Sequence, residues 1–153
     1  MRIWRILPAA PEHVGPIARN MREADRREVW ASHRHTPGEA LEHALLGSEL
    51  AWTCFVHGRP AFMWGAARQG GLMSRAGAPW LLGTPAILTV RHEFLRQCPA
   101  YIARMLERFS RLENFVHAEN RVSLRWLRWC GFTINKTPIV FNSEKFFLFW
   151  REG

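Results

Sequence analysis

Along the chain, short apolar runs that alternate or are continuous are interleaved with stretches whose apolar residues recur at helical spacing, and these two periods set the predicted elements. Residues Arg2 to Leu7 alternate and stop at Pro8, which predicts a first strand. From Pro11-Glu12 through Trp30, Val14, Ile17, Met21, Ala24 and Glu28 share one face of a helical stretch, and Gly15-Pro16 predicts its division into two helices or a kink. Thr36-Pro37-Gly38-Glu39 predicts a helix start, with Thr36 as cap and Glu39 closing a capping box, and that helix stops near Gly47. Ala51 to His57 and Pro60 to Ala67 predict a hairpin turned at Gly58-Arg59. Pro79 to Thr84 is apolar on both faces, as a central strand is.

In the second half, Pro85 can begin a helix, and Tyr101, Ile102, Met105, Leu106 and Phe109 form one stripe of a helix from Phe94 to Phe109, with Pro99 expected in its first turn. Leu112 to Ala118 reads as a buried strand and Asn120 to Cys130 as a helix stopped by Gly131. Phe132 to Ile134 and Lys145 to Trp150 read as two strands joined by a turn at Asn142-Ser143. This order predicts a single domain over 1–153 of the α/β (α+β) class, a mixed sheet with helices on both faces.

Composition narrows the chemistry. Hydrophobic residues make up 48% of the 153 and charged ones 22%, ordinary globular usage. No apolar run reaches membrane-spanning length, and the apolar stretch before Pro8 is too short for a signal peptide, so the expectation is a soluble protein in the cytoplasm where it is made. Cys54, Cys98 and Cys130 lie apart among apolar neighbours and read as reduced core thiols. His33-Arg34-His35 is the tight histidine pair, with no further cluster at metal spacing, so no metal is expected. Lys+Arg 21 against Asp+Glu 13 gives a net charge of +8, which suits anionic partners such as nucleic acid, a phosphorylated cofactor or an acidic surface.

Asn120-Arg121-Val122-Ser123-Leu124-Arg125-Trp126-Leu127-Arg128-Trp129-Cys130-Gly131-Phe132 resembles the segment of GCN5-related N-acetyltransferases (GNATs) in which an asparagine follows a strand, a small residue comes three later, and a helix ends in Gly-Phe. Met21 to Val29, Pro79 to Thr84 and Trp126 to Phe132 together look like the signatures of GNAT-like proteins of tailed phages and prophages, some of which carry the label internal virion protein A. The resemblance implies a GNAT-like, mostly antiparallel central sheet and phage structural proteins, or a second copy of the chain, as partners. It also implies a location in the bacterial cytoplasm during synthesis or in the virion.

Active members of the fold place a glycine-rich turn after the central strand, whose N–H groups hold the pyrophosphate of acetyl-CoA. Here no glycine occurs between Gly83 and Gly131, and Arg96 and Pro99 stand where the motif is expected. The tyrosine that many members use as general acid, seven residues after the asparagine, is replaced by Leu127. These departures favour an internal virion or morphogenesis-associated protein with a degenerate acetyl-CoA site over an enzyme.

Two alternatives stand beside that reading. One is a divergent N-acyltransferase in which Arg91, Arg96 and Arg75 replace the lost N–H groups, Leu82, Gly83 and Thr84 align the pantetheine arm of acetyl-CoA, and Asn120 contacts the acyl slot. Glu23, Asp25, Glu28 and His117 are its candidate bases. The other is a nucleic-acid binder. Arg104, Arg108 and Arg111, and likewise Arg121, Arg125 and Arg128, recur at helical spacing, with Trp126 and Trp129 expected on the buried side of the latter helix.

Overall fold

The computed structural model describes residues 2–71 and 73–153. Its elements run β1 (Trp4–Pro8), α1 (Val14–Arg19), α2 (Glu23–His33), α3 (Pro37–Gly47), β2 (Ser48–Val56), β3 (Arg59–Arg68) and β4 (Ala76–Gly83), then α4 (Arg91–Arg108), β5 (Arg111–His117), α5 (Arg121–Trp129), β6 (Thr133–Ile134), β7 (Ile139–Phe141) and β8 (Glu144–Glu152). The strands form one mixed sheet in the order β1-β2-β3-β4-β5-β8-β6, with β7 also on β8. Every pairing is antiparallel except β4 with β5.

Alternation along the strands divides the core in two. Met63 and Leu82 point to one face, where Val14, Ile17, Met21, Val29 and Leu41 of the first three helices and their connections cover them. Phe62 and Trp64 point to the other, against Phe94, Ile102 and Met105 of α4 and Leu124 and Leu127 of α5. The expected fold class, a mostly antiparallel sheet with helices on both faces, is the one observed.

Several local expectations are corrected. Gly15-Pro16 does not divide the first helical stretch, because Pro16 sits in the first turn of α1, where its missing N–H has no intrahelical partner to lose. The break comes at residues 20–22 instead, held by the Arg26 guanidinium, which donates to the carbonyls of Ala18, Arg19 and Met21. The first hairpin turns at His57-Gly58, both at positive φ, one residue earlier than expected. The Asn142-Ser143 turn joins β8 to β7, a strand the sequence did not reveal.

Pro99 lies in the middle of α4, not in its first turn. A proline there leaves the carbonyl one turn back, Leu95, without its helical donor. The indole Nε1 of Trp129 supplies one at 3.1 Å, which ties α5 to α4 and explains why Trp129 is 62% exposed instead of packed inside. Because α4 ends at Arg108, Arg111 is not on a helix at all; it opens β5 and pairs with Glu113 and Glu152.

Candidate functional site

β4 and β5 pair only at Ala76 with Arg111 and Gly77 with Leu112, then splay. Gly77 permits the close root of this wedge: a Cβ there would stand 2.5 Å from the Phe109 ring. Beyond the root, side-chain amides replace the ladder. Asn114 Nδ2 donates to the Pro79 carbonyl at 3.0 Å, and Gln69 Nε2 to the Glu113 carbonyl at 3.2 Å. A cavity of about 480 Å³ runs through the wedge, with Trp80, Phe115 and His43 toward the α2 and α3 side and Leu81, Ser123, Trp126 and Leu127 toward α5.

Register fixes which backbone groups face the opening. The Thr84 N–H donates to the Ala61 carbonyl at 2.8 Å, so Phe62 and Gly83 form a pair that exchanges no hydrogen bonds, as do Trp64 and Leu81. The N–H and C=O of both Leu81 and Gly83 therefore point away from β3, into the wedge. On β5, the Ala118 N–H bond to the Lys145 carbonyl at 2.9 Å sets His117 in the same way relative to β8.

Helix α2 closes the wedge mouth with two carboxylates. Asp25 Oδ2 accepts the Gly83 N–H at 3.0 Å, and the Gly83 carbonyl accepts the Arg22 N–H at 2.8 Å. Glu28, one turn on, lies near enough to the backbone N–H of His117 to feel its dipole. Asn120 Nδ2 joins the two, at 2.6 Å to Glu28 Oε2 and 3.2 Å to Asp25 Oδ1. Arg22 donates to Asp25 Oδ1 at 3.1 Å.

Burial raises the Asp25 carboxyl against the pull of Arg22 and its hydrogen bonds. Glu28 is pushed up to about 8, first by burial and then by the neighbouring Asp25 charge, while Asn120 and the His117 N–H work the other way. The two carboxyls thus titrate as a pair that resists carrying two charges. Glu28 also lines the cavity. It is a group near neutrality facing open space, the property a general base needs.

The other sequence candidates fall differently. Glu23 is exposed and off the cavity. His117 is buried with both ring nitrogens engaged: Nδ1 accepts the Glu119 N–H at 3.2 Å, which leaves the proton on Nε2, donated to Glu144 at 2.6 Å. It has no free lone pair to act as a base. Leu82 packs into the core on the α1–α3 side, Gly83 is held by α2, and the Thr84 hydroxyl accepts the Ala86 N–H. The backbone left open on β4 is that of Leu81, which the sequence did not single out; the strand register is the signal that identifies it.

Asn120 caps α5, accepting the Ser123 N–H at 3.4 Å, and holds both carboxylates as well. Arg91 and Arg96 are exposed on α4, and Arg96 with Pro99 lies inside that helix, not in a phosphate-binding turn. The segment after β4 is a 3₁₀ turn, Pro85–Thr89, whose N–H groups serve itself: Ala86 bonds the Thr84 hydroxyl, Ile87 the Thr84 carbonyl and Val90 the Ile87 carbonyl. Pro85 has none to give. Arg121, Arg125 and Arg128 lie exposed along α5, without an ion pair among the described residues.

Among the described residues no group of three or more His, Cys, Asp or Glu side chains is disposed to hold a metal, and no helix is long and apolar enough to cross a membrane. No family model and no curated protein matches the sequence. Solved structures do match in shape. The acetyltransferase of GNAT family from Streptococcus pneumoniae superposes with a TM-score of 0.62 at 12% identity, over 98% of this chain and 99% of that one. Ribosomal-protein-S5-alanine acetyltransferase from Vibrio fischeri gives 0.63 at 14% identity, over 99% and 94%. Ard1 from Thermoplasma volcanium gives 0.67 at 14% identity, over 99% and 98%. The chain therefore has the GNAT fold.

Proposed function

We propose that this protein is an N-acyltransferase that moves an acyl group from a CoA-type thioester to an amine. The observation that carries the reading is the open wedge, with the Leu81 N–H and C=O unpaired on one side and Glu28 at its mouth. Bound there, the thioester supplies an activated acyl group and a thiol leaving group. The Leu81 backbone fits the amide-bearing arm of such a donor as a further strand would, and orients it. Glu28 accepts the amine proton, directly or through water, once its own carboxyl is ionised. On α5 the cavity-lining hydroxyl is Ser123, placed to hydrogen-bond the departing sulfur, which Leu127 cannot do.

The fit is partial. The turn at 84–90 has spent its N–H groups on itself, so it offers a pyrophosphate no nest and the nucleotide adds little to the hold on the donor. The direct experiment is thiol release from acetyl-CoA with a panel of amines. Release that depends on the amine and is lost in Glu28→Gln supports the reading; release that ignores the amine overturns it.

The same spent turn and Leu127 support a second reading, a GNAT scaffold without turnover that serves a phage or prophage as an internal virion or morphogenesis protein. Silence toward every amine, with retention in purified particles, is its signature. The unpaired arginine face of α5 with exposed Trp129 supports nucleic acid as a further partner, tested by binding that weakens steeply with salt.

A further inference from the structure

Three histidines meet at the α2 and α3 side of the cavity. His33 ends α2, His35 follows a left-handed Arg34 that reverses the chain, and His43 comes back on α3. The His33 and His35 rings stack with centroids 5.6 Å apart, and His35 and His43 lie 5.3 Å apart. All three line the cavity that holds Glu28. Ser32 contacts His33 Nδ1 at 3.0 Å; among the described residues the ring nitrogens of His35 and His43 have no hydrogen-bond partner. Three imidazoles this close invite a metal, but no metal-holding group is formed among the described residues.

Burial, and then the neighbouring His35 and His43 charges, lower His33 from its ordinary value. Glu39 lies within electrostatic reach of His35, from the first turn of α3. What such a cluster lacks is an anion, which would accept its N–H groups and relieve the mutual repulsion.

We propose that the His33, His35 and His43 cluster reads the carboxylate of the acceptor, making the amine substrate a small amino acid. The inference rests on the acyl-transfer reading of the same cavity. Glu28 and His33 are separated by about 7.5 Å along the α2 axis, from the rise per residue of a helix. Both residues line one cavity, so an amino acid bound there can turn its amine toward Glu28 and its carboxylate toward the imidazoles. Phe115 and Phe141, in edge contact at 5.1 Å, line the same cavity and suit an apolar side chain.

The test compares acetyl transfer to L-phenylalanine, L-phenylalaninamide and phenethylamine in the full chain and in the His35→Ala/His43→Ala variant. The amide keeps the skeleton and removes the charge. The expected result is about a tenfold or greater preference in kcat/KM for phenylalanine, the fold-change of a charge-assisted hydrogen bond, and in the variant the ratio of phenylalanine to the two amines without a carboxylate falls to about one. Equal use of the three amines, or a preference that survives the substitutions, overturns the proposal and leaves acyl transfer standing. Titration of the imidazole ¹⁵N signals with the same three compounds, without donor, separates the failures. Shifts with phenylalanine alone and no acetylation keep the carboxylate site and sink the transfer reading; no shift and no acetylation sink both.

Discussion

Asp25 and Glu28 stand one turn apart on α2 and share one donor, the Asn120 amide at the start of α5, while Asp25 also takes the Gly83 N–H of β4. Two carboxyls in one buried cluster are costly when both are charged, and Asn120 is the amide that makes the arrangement tolerable.

The raised Glu28 carboxyl makes stability depend on pH with a definite sign. Its ordinary value is 4.5 and its folded value about 8, so between these the folded protein holds the extra proton. Stability is therefore greatest below the lower value and falls as pH rises toward 8, by at most about 1.4 kcal/mol per pH unit. The open cavity side of the carboxyl keeps the slope below that ceiling. Urea unfolding at a series of pH values checks it: Glu28→Gln should flatten the decline, and an unchanged slope would place the titrating group elsewhere.

Removing the bridging amide has two effects. Asn120→Ala takes hydrogen bonds from both carboxylates and the cap from α5, a loss of roughly 2–3 kcal/mol in denaturant unfolding. Because Asn120 favours the charged form of Glu28, the rising limb of any pH–rate profile should also move to higher pH. A destabilised variant with an unshifted limb would separate Asn120 from the base.

Pro99 predicts a gain. Pro99→Ala restores the Leu95 hydrogen bond inside α4, and about 1–2 kcal/mol of stabilisation is expected after the added freedom of the unfolded chain is subtracted. Thermal unfolding of this variant and of Trp129→Phe measures the trade. Trp129→Phe should cost stability in the wild type and little in the Pro99→Ala background, since the indole then has no orphan carbonyl to serve.

The self-satisfied turn at 84–90 predicts how donors rank. Without a nest, the nucleotide adds little, so acetyl-pantetheine and acetyl-CoA should bind within about threefold of each other, a difference under 1 kcal/mol. Calorimetry on both measures this directly. Much tighter CoA binding would mean that arginine side chains have taken over the phosphates.

What the sequence made legible was local or periodic. The Thr36 and Glu39 capping box closes as read, with bonds of 3.3 and 2.9 Å, because all its parts lie within one turn. The hairpin and the central strand follow from apolar period alone. Pro99 was misread because the compensating donor, Trp129, is thirty residues away in sequence and reaches Leu95 only through packing. That the Leu81 backbone faces the opening was not legible for a related reason: which backbone groups face an opening is set by the partner strand's register. Similarly, the His33 and His35 pair gave no sign that α3 would return His43 to it, whereas the helical period put Glu28, which meets Asn120, on the apolar face and left Glu23, which meets solvent, off it.

The central claim is acyl transfer with Glu28 as base, and its most direct measurement is the pH dependence of amine-dependent thiol release for the wild type and Glu28→Gln. The rate is predicted to climb with pH and level off above about 8, as the Glu28 carboxyl ionises, and the variant should lose about 100-fold or more along with that limb. No amine-dependent release from acetyl-CoA or acetyl-pantetheine at any pH, or a variant that keeps the wild-type profile, would contradict it.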